Sequence, residues 1–388
     1  MKILFLDQSG KPGGAELCLL DIAMCHRGQC LVGLFEDGAF RRLLEENQIA
    51  VQVLSQAPIG VRKQSSWLAG LKSVRQLAPL IAKIARLSHQ YDLIYANTQK
   101  ALVVGAIASL LSGRPLVYHL HDILSLEHFS STNRRLAVAL ANRATLVIAN
   151  SQASRTALIE AGGNPETVHV VYNGFRLQQY QENHNQAKTL RLTLELQEKF
   201  VIGHFSRLSP WKGQHVLLEA LSHCSENVVA VFVGDALFGE QDYVQQLQSQ
   251  VDHLGLRDRV TFLGFRSDVI ALMQMCDLVV HTSTVAEPFG RVIVEAMLCG
   301  TPVIAAKAGG ALELVESGET GWLVTPGDVH ELANAIAYCQ QNLTETDAIA
   351  QRAQREAQLR FNLDTINQQS THLLASKVLK ATPSSQAK

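Results

Sequence analysis

Two acidic side chains stand eight positions apart in Glu287-Pro-Phe-Gly-Arg-Val-Ile-Val-Glu295. Carboxylates accept hydrogen bonds from vicinal hydroxyls, so each could hold one end of a polyhydroxylated ligand. With a helix beginning near Phe289, the two would lie on the order of 12 Å apart along the axis, offset by roughly 80°. That span matches a sugar and a ribose on either side of a diphosphate, and the free amides of a helix start favour the phosphate between them. The spacing also fits a turn residue followed by an ordinary surface helix residue.

A second group is Arg207-Leu-Ser-Pro-Trp-Lys212-Gly, between an apolar run and a helical pattern. Two cations there suit a diphosphate and would stabilise negative charge on a departing phosphate oxygen. A solvated loop with two basic residues reads the same way in isolation. No Asp-x-Asp occurs in the chain, so the paired-carboxylate magnesium site is not evident; the positive charge is expected from the protein, with neither metal nor cofactor.

In the first half, Gly10-Lys-Pro-Gly13-Gly14-Ala-Glu16 follows the first apolar run and opens a helix. Its glycines let backbone amides approach a ligand closely, although the GxGxxG spacing of a dinucleotide site is missing and a plain tight turn fits equally. His119 and His121, in Val-Tyr-His-Leu-His-Asp, share one face of a strand. His121, farther out, is the candidate for substrate contact; His119 reads as interior. Nothing at metal-ligand spacing joins them convincingly, and zinc is not expected.

The elements that must position these residues alternate short β-branched runs with amphipathic stretches. Strands are expected at 2–6, 29–35, 50–54, 92–95, 116–120, 146–149 and 168–171, and again at 200–205, 228–233, 260–263, 278–281, 302–305 and 322–324. Such a succession predicts an α/β chain of two doubly wound Rossmann-like domains facing a cleft. The polar stretch at 178–195 is expected to be a linker. Domain one is then 1–177, domain two 196–360, with a last helix at 361–380 and a frayed polar tail beyond it.

With 388 residues, 47% hydrophobic and 18% charged, the chain is in the range of two-domain soluble enzymes. The opening MKILFLDQSG reads as a strand rather than a signal peptide, and no transmembrane span is expected. Seven scattered cysteines without a CxxC pair are expected to be buried thiols in a reducing cytoplasm. Residues 1–176 hold 18 Lys and Arg against 12 Asp and Glu, net +6; the remainder is net −7. An anionic membrane face is one candidate partner for the basic half. The stretch from Arg62 and Lys63 through 67–87, with Lys72, Arg75, Lys83 and Arg86, could serve as an amphipathic contact or pack as an ordinary helix, interrupted or kinked at Pro79. Nucleic acid is not expected, since no recognition motif accompanies the charge.

Taken together, these residues resemble the family 4 retaining glycosyltransferases, over nearly the whole chain. The resemblance implies the GT-B fold, with Glu287 near the donor sugar hydroxyls, Glu295 on the ribose, and Phe289 and Gly290 offering amides. Arg207 and Lys212 match the family's Arg-x4-Lys, implied to bind the diphosphate. Gly13 and Gly14 match the glycine loop near phosphates and acceptor, and His121 a histidine beside the donor sugar. Phe262-Leu-Gly-Phe265 would meet the base through its backbone, and Ala308-Gly-Gly310 with Glu313 is also similar to the family; Pro288 departs from it, where glycine is common. The implied reaction is transfer of a sugar from a UDP- or GDP-sugar to a saccharide or lipid-linked acceptor, without metal. A nucleotide-sugar epimerase and a non-catalytic nucleotide-sugar-binding protein are the alternatives.

Overall fold

The computed structural model describes residues 1–55, 67–127, 129–181, 184–236 and 239–378, with side chains for all of these except 67–76 and 184. The chain divides into two compact units, Met1–Gly174 together with the chain from Leu363 onward, and Phe175–Asn362.

Seven strands build the first sheet: β1 (Ile3–Asp7), β2 (Cys30–Leu34), β3 (Val51–Val53), β4 (Leu93–Ala96), β5 (Leu116–Leu120), β6 (Leu146–Ala149) and β7 (Val168–Val170). All pairs are parallel, in the order β3-β2-β1-β4-β5-β6-β7. Strands covered on both faces need apolar residues at nearly every position, which is why the central runs such as 3–6 and Leu93–Ala96 are continuous, while the edge strands Val51–Val53 and Val168–Val170 alternate. Along β1, Leu4 and Leu6 join one core, while Ile3 and Phe5 join the other with Tyr95 and Val117. The helix Leu363–Val378 supplies Ile366, Leu374 and Val378 to this second face. Each such buried side chain contributes about 1.5–3 kcal/mol.

The second unit repeats the plan with β8 (Phe200–Phe205), β9 (Val228–Val233), β10 (Val260–Gly264), β11 (Leu278–His281), β12 (Val303–Ala306) and β13 (Trp322–Val324). Their order is β10-β9-β8-β11-β12-β13, again all parallel. In both sheets the chain order reverses once, between β1 and β4 and between β8 and β11. Ligands in such sheets bind beyond the carboxyl ends of the two strands at that switch.

Each expected strand is found, with no end displaced by more than one residue. The linker expected at 178–195 is corrected. A 3-10 turn (Leu177–Tyr180) and a helix (His184–Thr193) occupy much of it. Arg191 fastens that helix to the second unit, donating to the Met275 carbonyl at 2.7 Å and pairing with Asp277, which also accepts from the Val201 N–H at 2.7 Å. These partners lie more than eighty positions away, so the segment's polar composition gave no sign of them. The helix Trp67–Ser88 runs through Pro79 without interruption, with Pro79 itself exposed. Its Leu80, Ile81 and Ile84 are buried in the core, while Lys83 and Arg86 face outward. Arg62, Lys63 and the tail 381–388 lie outside the described residues, as do the side chains of Lys72 and Arg75. Among the described residues, no helix is long and apolar enough to cross a membrane. All seven cysteines are free thiols, but Cys25, expected to be buried, is exposed at the end of the helix Gly14–Cys25.

Two acids sit in the first unit where water does not reach. Asp7, the last residue of β1, is fully buried, and burial pushes its carboxyl up to about 6 against the hydrogen bonds from Ser9 and Asn97. Glu16, in the first turn of the helix Gly14–Cys25, accepts from the backbone of Gly13 as a cap. Burial, reinforced by the charge of Asp7, pushes it up to about 7. The folded chain therefore holds these protons more tightly than the unfolded chain, and stability falls as pH rises from the ordinary carboxylate range through about 7. Glu16→Gln is expected to match the wild type near pH 5 and to melt roughly 5 °C higher at pH 8, as read by thermal unfolding at the two pH values; equal melting points at pH 8 would contradict it.

Candidate active site

At the switch of the second sheet, the loop leaving β8 carries Arg207 and Lys212. Gln214 ties it down, its Nε2 donating to Ser206 Oγ at 2.8 Å and to the Arg207 carbonyl at 2.9 Å. A 3-10 turn over Pro210–Lys212 ends at Gly213, whose φ is +72°. A Cβ there would lie 2.0 Å from the Thr282 carbonyl oxygen, so only glycine allows the turn that aims Lys212. Trp211 stands beside both cations, with Lys212 Nζ 4.0 Å and Arg207 Cζ 5.6 Å from its ring centre. Thr282 Oγ lies 3.0 Å from the Lys212 carbonyl and 2.9 Å from that of Gly213. Its one hydrogen is committed to these carbonyls, so His204 Nε2, 2.9 Å away, is the donor to Thr282 Oγ. Burial, with the charges of His281 and Lys212, pushes His204 down to about 3, and its ring is neutral.

Glu287 arrives from the neighbouring strand β11. Its Oε2 is 2.6 Å from Lys212 Nζ, 3.0 Å from Ser283 Oγ and 3.3 Å from His281 Nε2. The Lys212 and Glu287 side chains are only 15% and 12% exposed, so this is not a screened surface pair. Burial works against the charge on Glu287, but the Lys212 ammonium and the His281 contact override it and hold the carboxyl well below the usual carboxylate range. The Glu287 carbonyl accepts from the Gly310 N–H at 2.7 Å, which brings the Ala308-Gly-Gly310 segment alongside.

The helix begins at Arg291, not at Phe289, because Gly290 takes a left-handed conformation at φ +93°. Glu287 and Glu295 thus do not share a helix, and the expected separation along one axis does not apply. Glu295 sits in the second turn with its Oε1 3.5 Å from Arg291 Nε. Phe289 is buried against Phe175 and Phe361, and Phe265, after Gly264, is 75% exposed. The second sheet therefore gathers Arg207, Lys212 and Glu287 at its switch. A ligand phosphate there would meet fixed cations, and a ligand hydroxyl would meet an ionised carboxylate.

At the switch of the first sheet, Gly13 caps the helix that starts at Gly14. His121 follows β5, with Nε2 2.9 Å from Asn97 Oδ1. His119 is 3% exposed and lies 2.8 Å from Tyr95 Oη through Nδ1, the interior histidine expected from its place one turn of the pleat behind His121. The two imidazole centres are 3.9 Å apart. Among the described residues, one group of potential metal ligands has its donor atoms within 4.8 Å of one another: Cys18, His119 and His121.

The residues that the sequence did not single out are His204, Thr282, His281 and Ser283 in the second unit, and Asp7 and Asn97 in the first. Each sits in or just beyond a strand at a switch, which is the one signal that could have found them.

Comparison with known proteins adds identity to this geometry. The family model "Glycosyl transferases group 1" matches residues 186–356, and "Glycosyltransferase Family 4" matches residues 12–179. Anabaena HepE, solved in complex with UDP and glucose, is 61% identical with a TM-score of 0.91, over 97% of this chain and 100% of that one. The same protein solved with UDP-glucose gives 60% and 0.90. The chain is 31% identical over 212 residues to spore coat protein SA of Bacillus subtilis, covering 49% of this chain and 54% of that protein. It is 29% identical over 298 residues to D-inositol 3-phosphate glycosyltransferase of Mycobacterium marinum, covering 73% and 63%. It thus spans less than two thirds of the length of these two curated relatives. With both halves matched and a solved relative 61% identical along nearly its entire length, the chain belongs to the group 1, family 4 glycosyltransferases of GT-B fold.

Proposed function

We propose that this chain is a retaining, metal-independent hexosyltransferase that takes a sugar from a UDP-sugar, with UDP-glucose the first candidate, and passes it to a saccharide or lipid-linked acceptor. The observation that carries the proposal is the shielded Lys212–Glu287 pair beside Arg207 at the switch of the second sheet. The choice of UDP-glucose draws support from the complexes of Anabaena HepE.

In this reading Arg207 and Lys212 bind the diphosphate, and Lys212 exchanges part of its contact with Glu287 for a phosphate oxygen. Glu287, ionised and able only to accept, takes hydrogen bonds from sugar hydroxyls, and Glu295 does the same for the ribose. Phe289 and Gly290 present backbone amides, and the backbone near Phe265 meets the base. The first unit contributes the Gly13-Gly14 loop and His121, beside the sugar and acceptor. The acceptor oxygen bonds to the anomeric carbon on the face from which the phosphate oxygen leaves, and that oxygen takes the acceptor's proton. Charge building on the leaving group is borne by Arg207 and Lys212, whose fixed position lowers the barrier.

Lys212→Ala and Glu287→Gln are each expected to cut turnover of the preferred donor at least about a hundredfold. Removing Lys212 also strands a buried carboxylate, so thermal unfolding of each variant is measured beside the kinetics; near-normal rates in both would contradict the assignment. Scored for thermal stabilisation against UDP-, GDP- and ADP-sugars, the wild type is expected to respond most to a UDP-sugar. Turnover is expected to persist in EDTA, with the product keeping the anomeric configuration of the donor. Activity that vanished with EDTA and returned with manganese, an inverted product, or sugar isomerisation without acceptor would each overturn part of the reading.

The proposal extends to a cytoplasmic enzyme that touches an anionic membrane through its basic first unit. Leu110, Leu111 and Leu136 are exposed there on two helices that pack together, a composition suited to an interface. Sedimentation with anionic liposomes at low salt, lost at high salt, is the expected result; no sedimentation would remove this part.

A further inference from the structure

Behind His121 a chain of hydrogen bonds crosses three strands that are neighbours in the sheet. Asp7 ends β1, Asn97 follows β4 and His121 follows β5. Asn97 Nδ2 donates to Asp7 Oδ2 at 2.7 Å and to the Ala15 carbonyl at 3.1 Å, and Asn97 Oδ1 is 2.9 Å from His121 Nε2. The other Asp7 oxygen accepts from the Ser9 N–H at 2.8 Å. The Asn97 backbone N–H is held by the Leu6 carbonyl at 3.0 Å.

With Asp7 ionised, the hydrogen bonds at the Asn97 amide have one consistent assignment. Both Nδ2 hydrogens meet oxygens that have no hydrogen to give, and flipping the amide would set its oxygen against them. Oδ1 must therefore face His121, and Oδ1 only accepts. Nε2 carries the hydrogen, and in the neutral ring the lone pair falls on Nδ1. His119 lies beneath, its ring centre 3.9 Å away and its Nδ1 engaged with Tyr95. Burial and the neighbouring His121 keep its own affinity for a proton well below the ordinary histidine value, so it packs against His121 without adding charge.

We propose that Asp7 and Asn97 are positioning residues that lock His121 in the Nε2–H tautomer, so that Nδ1 accepts a hydroxyl hydrogen from the sugar substrate. This rests on the reading that His121 lies beside the sugar. Neither residue touches substrate; both act through the imidazole.

The test joins spectroscopy to a double-mutant cycle. Imidazole 15N shifts of His121 at pH 7.5 are expected to show a hydrogen on Nε2 and none on Nδ1 in the wild type, and mixed tautomers in Asn97→Ala. Asn97→Ala and the isosteric Asp7→Asn are expected to lower kcat by about 10–100-fold while changing the donor KM less than about threefold. In a His121→Ala background, Asn97→Ala is expected to change kcat by less than about twofold, because its route to the substrate is gone. Additive losses, or a hydrogen on Nδ1 in the wild type, would overturn the proposal, and Asp7→Asn serves where Asn97→Ala fails to fold. Should His121→Ala keep wild-type turnover, it is the placement of His121 beside the sugar that fails, while the 15N shifts still decide the hydrogen-bond chain.

Discussion

A parallel sheet whose chain order reverses at one pair of strands sends the connections from that pair to opposite faces, and no segment covers their carboxyl ends. Backbone groups there end their ladder, the next loops diverge, and polar side chains can collect at the edge of an apolar core. This chain does so twice. Asp7 and Asn97 mark the place in the first sheet, Arg207 and His281 in the second. The remainder of each unit, with its largely apolar strands packed into buried cores, supports those two edges.

The two edges solve the problem of buried charge differently. In the second unit an ammonium is set against a carboxylate, and attraction offsets the loss of hydration for both. In the first, two carboxyls share a dry region with only amide and backbone donors, and their affinity for protons rises. One edge is ionised at neutral pH; the other stands close to its titration range.

The strands were legible because a strand buried on both faces leaves a largely apolar run, unbroken in Val228–Val233 and interrupted by a single polar residue in Val51–Val53 and Val168–Val170. The cations Arg207 and Lys212 and the acid Glu287 were legible as local spacings. What local spacing could not supply was contact across the fold. The pairing of Lys212 with Glu287 spans 75 positions and that of Asn97 with Asp7 spans 90, and neither partner names the other in the sequence. The helix His184–Thr193 was hidden for the same reason, its anchor Asp277 lying in another part of the chain. Gly290 misled in the opposite way: a helical pattern ran through it, and the left-handed turn it adopts became visible only with φ.

The way the chain enters and leaves the second unit has a practical side. Phe175 N–H donates to the Phe361 carbonyl at 2.8 Å, and Phe175 bridges to Asn362, so the incoming and outgoing segments run side by side. On the other side of that junction, a Cβ on Gly174 would come within 2.9 Å of the Leu363 Cα. Residues 175–362 therefore form an uninterrupted piece with adjoining ends, suited to excision whole, and a short splice from Gly174 to Leu363 would reseal what is left.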